Sequence, residues 1–284
     1  MKAVVVTGVS TGIGRAAAAD LLAHGYQVFG SVRRPADATQ LQRELGPAFT
    51  PLLFDVTDEG AVRAGAGVVA DALAGRGLWG LVNNAGIAVP GPLLFMPAAD
   101  FRRQFEVNLF GALLVTQAFA PLLGAKKGAS YPPGRIVNIS SISGIITYPF
   151  MAAYAASKHA LEAFSDGLRR ELLLYGVDVI VIEPGSVQTP IWDKAAEQDA
   201  STLAETDYGP LLASFQKTMV ERGRHSQPVE VVSRAIRLAL ESERPKTRYL
   251  LPSNWVSGWL LPRLPDRWFD RVIGRRLGLA LRKA

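Results

Sequence analysis

Apolar positions along this chain fall into two alternating patterns. Short, almost unbroken apolar runs end in glycine or polar residues: KAVVVTG (2–8), YQVFGSV (26–32), FTPLLFDV (49–56), WGLVNNAG (79–86), GRIVNISS (134–141), VDVIVIEPG (177–185) and RYLLP (248–252). Short runs of this kind, bounded by turn formers, read as fully buried strands. Between them lie stretches of helical composition: GRAAAADLLAHG (14–25) and segments 58–74, 100–123, 152–174 and 229–240. Strand and helix alternate, and most strands are apolar throughout. That predicts an α/β fold: a doubly wound parallel sheet with helices on both faces, three layers in all. Crossovers should be right-handed. In such sheets ligands bind beyond the carboxyl ends of the strands, which is where the unusual polar residues cluster.

No repeat, low-complexity tract or linker divides the chain. One catalytic domain over residues 1–252 is expected, followed by an extension over 253–284. Composition narrows the possibilities. Half of the 284 residues are apolar, enough for one large core. Cysteine is absent, which excludes disulfides, a thiolate nucleophile and a zinc–thiolate site. His24, His159 and His225 lack ligand spacing, so no metal site is expected. The N-terminus enters a strand without a leader, and no apolar run reaches the ~18 residues of a spanning helix. A reducing, cytoplasmic location is the expectation.

Net charge is +6, but residues 263–284 alone carry +5, from seven cations against two carboxylates. The remaining body is nearly neutral, which argues against a nucleic-acid partner. In the tail, Trp268, Phe269, Val272, Ile273, Leu277 and Leu281 share one helical face. Arg267, Arg271, Arg275 and Arg282 share another. Such a helix docks on its own body, on a sister subunit, or peripherally on an anionic membrane.

The first strand runs into TGVSTGIG (7–14). Gly8, Gly12 and Gly14 allow a tight turn and close backbone approach, and the helix N-terminus that follows offers free N–H groups to a pyrophosphate. Ser10, Thr11 and Ile13 complete the turn. At the end of the second strand, GSVRRP (30–35) has Val32 where an acid would accept from the ribose 2′-hydroxyl of NAD. Arg33 and Arg34 follow, suited to a 2′-phosphate. NADP(H) is therefore the preferred cofactor and NAD(H) the alternative. Asp55 and Val56 are placed at the adenine, and Asn83, Ala85 and Gly86 on the ribose side. In YAASK (154–158), Tyr154 and Lys158 lie one helical turn apart on one face.

Jointly these pieces resemble the short-chain dehydrogenase/reductase family. The matching stretches are TGVSTGIG, NNAG (83–86), Asn108 in FEVNLFG, NISS (138–141), YAASK and IEPGSVQT (182–189), covering roughly residues 1–250. The form IEPG looks closest to hydroxysteroid and retinol dehydrogenase-like members. Thr11 departs from the basic residue that many NADP-preferring members carry. The resemblance implies a Rossmann-like fold, a nicotinamide cofactor and hydride transfer between an alcohol and a carbonyl. It implies Tyr154 as proton donor or acceptor and Lys158 as its activator. It further implies Ser141, thirteen residues earlier, as the carbonyl-polarising hydroxyl, and Asn108 as the fourth member, with a side-chain role such as positioning a water toward Lys158. Pro184, Gly185, Val187 and Thr189 would hold the nicotinamide end. A homo-oligomer, dimer or tetramer, built on the long helices is also implied.

The chemistry is compatible with these residues. A cation about 5 Å from a phenol, at an effective dielectric near 20, favours phenolate by about 3 kcal/mol, roughly two pKa units. Segment 190–225 lies over the expected nicotinamide and reads as a water-excluding lid. Its Ile191, Trp192, Leu211, Leu212, Phe215 and Met219, with Leu93, Phe95, Ile145, Tyr148, Pro149 and Phe150, suggest an apolar pocket. A hydrophobic carbonyl or secondary alcohol, of steroid, retinoid or aryl-ketone type, is the expected substrate. The rivals are a ketoacyl-carrier reductase, with the tail arginines meeting an acidic carrier, and a non-catalytic dinucleotide-binding sensor.

Overall fold

The computed structural model describes residues 1–191, 193, 203–224, 226–254, 258 and 260–279. Seven strands form one sheet in the order β3-β2-β1-β4-β5-β6-β7, and every pairing is parallel. They are β1 (Ala3–Val6), β2 (Gln27–Val32), β3 (Phe49–Leu53), β4 (Gly80–Asn83), β5 (Arg135–Ile139), β6 (Asp178–Pro184) and β7 (Arg248–Leu251). All seven coincide with the apolar runs of the sequence.

Period-two alternation divides β1 to β6 between two cores. Val4, Val6, Val28 and Val137 face one side, where they meet Ala17, Ala18 and Leu21 of α1 (Gly12–Ala23) and Val232 and Ile236 of α8 (Val229–Glu241). Val5, Phe29, Leu81 and Ile136 face the other. There they meet Val62 and Val69 of α3 (Glu59–Leu73) and Val115 and Phe119 of α5 (Gly111–Phe119). Burial on both faces is why these strands show no polar alternation.

The chain reverses its winding between β1 and β4. β1 pairs with β2 on one side and β4 on the other, which leaves a crevice above their carboxyl ends. α4 (Ala98–Phe105), a π turn (Glu106–Phe110) and α5 run on without a break. By length and composition the helical run 98–123 would suffice to cross a membrane. Here its Gln104, Asn108 and Thr116 are buried and bonded to neighbouring elements of the fold, as in a core helix. α6 (Ala152–Glu171) carries YAASK in its first turns.

The sequence pattern passed over α2 (Pro35–Leu45), whose only buried residue is Leu41. Segment 190–225, read as a lid, contains a regular helix, α7 (Gly209–Arg224). The tail forms α9 (Asp266–Leu277), stopped by Gly278 in the left-handed conformation. The single apolar stripe expected on α9 is split: Ile273 is buried and Phe269 half-buried, whereas Trp268 and Val272 are exposed. Arg267, Arg271 and Arg275 are exposed as expected. Leu281, Arg282 and Trp192 lie outside the described residues.

Candidate active site

The crevice above β1 and β4 is a cavity of about 230 Å³. Gly8, Ser10, Thr11, Gly12 and Ile13 line one wall. Gly8 and Gly12 have φ of +69° and +60°, conformations that side-chain-bearing residues rarely adopt. Thr11, the N-cap of α1, makes no side-chain hydrogen bond to the first turn, so that turn's N–H groups are not taken by a cap. Gly14 does not line the cavity. A β-carbon there would overlap the Asn84 amide and the Gly8 carbonyl, so this glycine packs the helix against the loop.

The turn is held from both neighbouring strands. Gly8 N–H donates to Ser31 Oγ at 3.0 Å. The N–H groups of Asn84 and Ala85 donate to Thr7 Oγ1 at 2.9 and 3.0 Å. Asn84 Nδ2 donates back to the Thr7 carbonyl at 2.8 Å. The structure therefore corrects Asn83, which does not reach the cavity. Its Nδ2 donates to Thr116 Oγ1 at 3.0 Å and Asn138 Oδ1 at 2.9 Å, tying β4 to α5 and β5. Asn84, Ala85 and Gly86 line the cavity instead. Ser31 and Asn84 carried no signal in the sequence, because their partners are backbone atoms of the turn.

At the far end Arg33, Asp55 and Val56 line the cavity. Arg33 is exposed, and its guanidinium stands 3.7 Å from the Asp55 carboxylate. A carboxylate therefore stands beside this guanidinium. Arg34 is also corrected. It bonds Asp37 twice, at 3.0 and 2.7 Å, on the first turn of α2 and does not line the cavity.

Ser141, Tyr154 and Lys158 line the opposite wall, with Pro184, Gly185, Val187 and Thr189 beneath. Ser141 Oγ accepts from Ser143 N–H at 3.0 Å. The Lys158 ammonium donates to the Ile139 carbonyl at 2.7 Å and lies 5.8 Å from the centre of the Tyr154 ring. Tyr154 and Lys158 are 8% and 5% exposed. Burial pushes the phenol above its ordinary value, opposed by the Ser141 hydroxyl. Burial pulls the lysine down to about 8, opposed by Glu162. The expected lowering of the tyrosine by the lysine is not seen in this cleft: burial raises it and only the Ser141 hydroxyl opposes. Both groups have lost their water, and burial disfavours the charged form of each.

Asn108 sits in the π turn. Its Nδ2 donates to the Ile87 carbonyl at 3.1 Å and Ser157 Oγ at 3.0 Å, and its Oδ1 accepts from Ile87 N–H at 2.9 Å. Both amide donors are spent. The side chain fixes the loop after β4 to α6. Gly185 closes this end of the cleft: its N–H donates to the Leu251 carbonyl at 2.8 Å, and a β-carbon would stand 2.7 Å from Ser253 N.

Apolar groups continue from Tyr154 outward. Ala88, Met151, Tyr154 and Met219 form a buried cluster with Tyr148, Ile191 and Phe215 against it. Phe150 contacts Phe215 and Tyr208, with ring centres 5.3 and 6.1 Å apart. Phe95 meets Tyr208 at 5.9 Å, and Tyr148 meets Phe269 of α9 at 6.0 Å. Leu212 is buried, while Leu93 and Ile145 are exposed.

The short chain dehydrogenase family model matches residues 2–200. The NADPH-dependent 3-dehydrocapnine reductase of Ornithobacterium rhinotracheale is 40% identical over 278 residues, covering 98% of each chain. Human retinol dehydrogenase 16 is 33% identical over 263 residues, covering 87% of this chain and 80% of the relative. Among solved structures, a short-chain dehydrogenase from Streptomyces avermitilis superposes with a TM-score of 0.74 at 26% identity, covering 98% of this chain and 97% of that one. The chain belongs to the short-chain dehydrogenase/reductase family. It is an NAD(P)-dependent oxidoreductase acting between CH–OH and C=O.

Proposed function

We propose that this protein is an NADPH-preferring reductase that converts a ketone on a bulky apolar substrate into a secondary alcohol. The observation that carries the reading is the single cleft that joins the glycine turn and Arg33 to Ser141, Tyr154 and Lys158, with apolar groups continuing outward from Tyr154. The 40% identical relative that reduces 3-dehydrocapnine with NADPH supports both the direction and the cofactor.

The uncapped first turn of α1 would receive the pyrophosphate, Arg33 the 2′-phosphate, and Pro184 to Thr189 the nicotinamide end. When bound, the reduced nicotinamide supplies the hydride. Ser141 orients the carbonyl oxygen, and the Tyr154 hydroxyl holds the proton destined for it. Lys158, at about 8, is largely charged at neutral pH and holds the phenol's environment positive. The apolar side chains around Tyr154 exclude water from the reacting carbon.

Two partner readings accompany this one. The exposed Phe110 beside the long α4–α5 run suits a homo-oligomeric contact. Exposed Trp268 and Val272 among the arginines of α9 suit peripheral contact with an anionic membrane. A cytoplasmic location is consistent with the absence of cysteine.

The test is parallel titration with NADPH and NADH, followed by NADPH oxidation with 3-dehydrocapnine and with bulky aryl and steroid ketones. Tight NADPH binding with turnover of an apolar ketone is expected. Tight binding of neither nucleotide, or turnover untouched by Tyr154→Phe, sinks the reading.

A further inference from the structure

The apolar cluster that adjoins Tyr154 is built from several elements, and those elements reach the surface with apolar side chains still uncovered. Leu93, Leu94 and Phe95, in the loop after β4, are three consecutive exposed residues, and Leu94 is 80% exposed. Ile145, in the turn after β5, is exposed too. On α9 Val272 is exposed, and Trp268 is 61% exposed. Consecutive apolar residues turned to water are a liability unless something covers them.

A chain of contacts joins these residues to the cleft. Gly91 N–H donates to the Phe150 carbonyl at 2.7 Å, and Phe95 and Phe150 share Tyr208. Two residues before Phe150, Tyr148 meets Phe269 of α9 and packs on the cluster that holds Tyr154. The far end of α9 rests on α7: a β-carbon on Gly278 would stand 3.2 Å from Leu211 Cδ2. α7 in turn sends Phe215 and Met219 to the cluster. The uncovered residues thus belong to the elements that enclose the substrate region.

The charge on α9 has one dominant sign. Arginines of the body commonly sit against a carboxylate, as Arg15, Arg63 and Arg237 do. Among the described residues, the exposed Arg267, Arg271, Arg275 and Arg276 take part in no ion pair. Helical spacing puts Trp268 and Val272 one turn apart, with Arg271 and Arg275 on one side of them and Arg276 on the other. Asp266 and Asp270 fall on the far side of the helix, with the inward-facing Ile273.

We propose that this outer end of the cleft docks on an anionic lipid surface, and that the apolar ketone enters from lipid rather than from water. The proposal rests on the function given above. Arg271 and Arg275 meet headgroup phosphates, while Trp268, Val272 and Leu94 enter the boundary of headgroups and acyl chains. An acidic carrier protein would satisfy the arginines alone. The Leu93–Phe95 loop lies on a separate element without a cation of its own, and it calls for an apolar layer. A ketone dissolved in acyl chains then reaches Tyr154 without crossing water.

The test floats the full chain with vesicles of phosphatidylcholine alone and with vesicles that also contain phosphatidylglycerol, at low and high salt. Binding to the anionic vesicles only, weakened by salt, is expected. Arg271→Gln with Arg275→Gln should weaken it about 25-fold, about fivefold per arginine. Leu94→Ser with Trp268→Ser should weaken it about tenfold. NADPH oxidation is then followed with a short water-soluble ketone and with a long-chain ketone carried in the vesicles. Both paired variants should turn over the soluble ketone as wild type does. For the vesicle-borne ketone their KM should rise about tenfold with kcat kept.

Equal binding to the two kinds of vesicle, or binding to neither, overturns the proposal, and that comparison requires no variant to fold. Binding to an acidic carrier protein but not to anionic vesicles overturns it likewise. So does a wild-type KM for the vesicle-borne ketone in both variants. If the soluble ketone is reduced by a chain that ignores lipid, only the docking falls. If the chain binds anionic vesicles yet reduces neither ketone, the catalytic reading falls and takes the route of entry with it.

Discussion

Arg33 and Asp55 stand 3.7 Å apart at one end of the cleft, one from the end of β2 and one just after β3. The pair is exposed, so its own attraction contributes little to stability. Its value lies in what it offers a ligand. A 2′-phosphate would compete with Asp55 for the guanidinium and win by its greater charge. Arg33→Ala should therefore weaken NADPH binding about 10- to 100-fold and leave NADH nearly unchanged. Fluorescence titration with both nucleotides measures this. Arg34→Ala, which removes only a link to Asp37, should shift neither.

Lys158 at about 8 sets the alkaline side of the reaction. Below that value the ammonium is present, and above it the charge beside Tyr154 is lost. The rate of ketone reduction should fall with a midpoint near pH 8.

The same burial makes Lys158 a stability cost. Its folded value is depressed, so the folded state is penalised wherever the lysine is charged, and the penalty is lifted only as pH rises toward the unfolded value. At neutral pH Lys158→Met should abolish turnover yet raise stability by about 2 kcal/mol. Thermal melts at neutral pH check this, and a lowered midpoint would contradict it.

Glu183 behaves in the opposite sense to a salt-bridged acid. Its folded value is raised to about 7, so the unfolded chain ionises first as pH rises. The contribution is intact below the ordinary carboxylate range and is lost as pH climbs through about 7. Glu183→Gln should flatten the decline in melting temperature across that window.

Gly14→Ala places a methyl group against the Asn84 amide and the Gly8 carbonyl, both of which hold the turn. Overpacking of this kind costs about 1–3 kcal/mol, and here it displaces the binding loop itself. Nucleotide affinity should drop more than the melting temperature suggests. Gly67→Ala, on an exposed position of α3 with nothing within 4 Å, serves as the control: it should raise the melting temperature slightly and leave nucleotide affinity unchanged.

The sheet was legible because its strands are buried on both faces and therefore apolar without alternation. Most helices were legible from their periodicity. α2 was not, since one buried leucine leaves no stripe to detect. The π turn around Asn108 was also invisible, because one extra residue in a turn leaves the residue types unchanged. At the site, Tyr154, Lys158, Ser141 and most of the glycine turn could be placed from the sequence. Asn83 and Asn84 could not be told apart, since adjacent residues at a strand end face opposite ways and identical side chains reveal no direction. Nor could the sequence show that Arg34 bends to Asp37 while Arg33 stays with the cleft. The sign of the Tyr154 shift depended on dehydration, which no residue spacing encodes.

The Gly185 end of the cleft is closed by Leu251, the last residue of β7, and by Ser253 just beyond it. A chain made from its N-terminus lays down the glycine turn, the serine and the tyrosine long before that strand exists. The catalytic groups are thus synthesised early and the cleft is completed late. During that interval the growing chain carries its reactive residues on an unfinished scaffold, and competence arrives with the closing residues of the sheet.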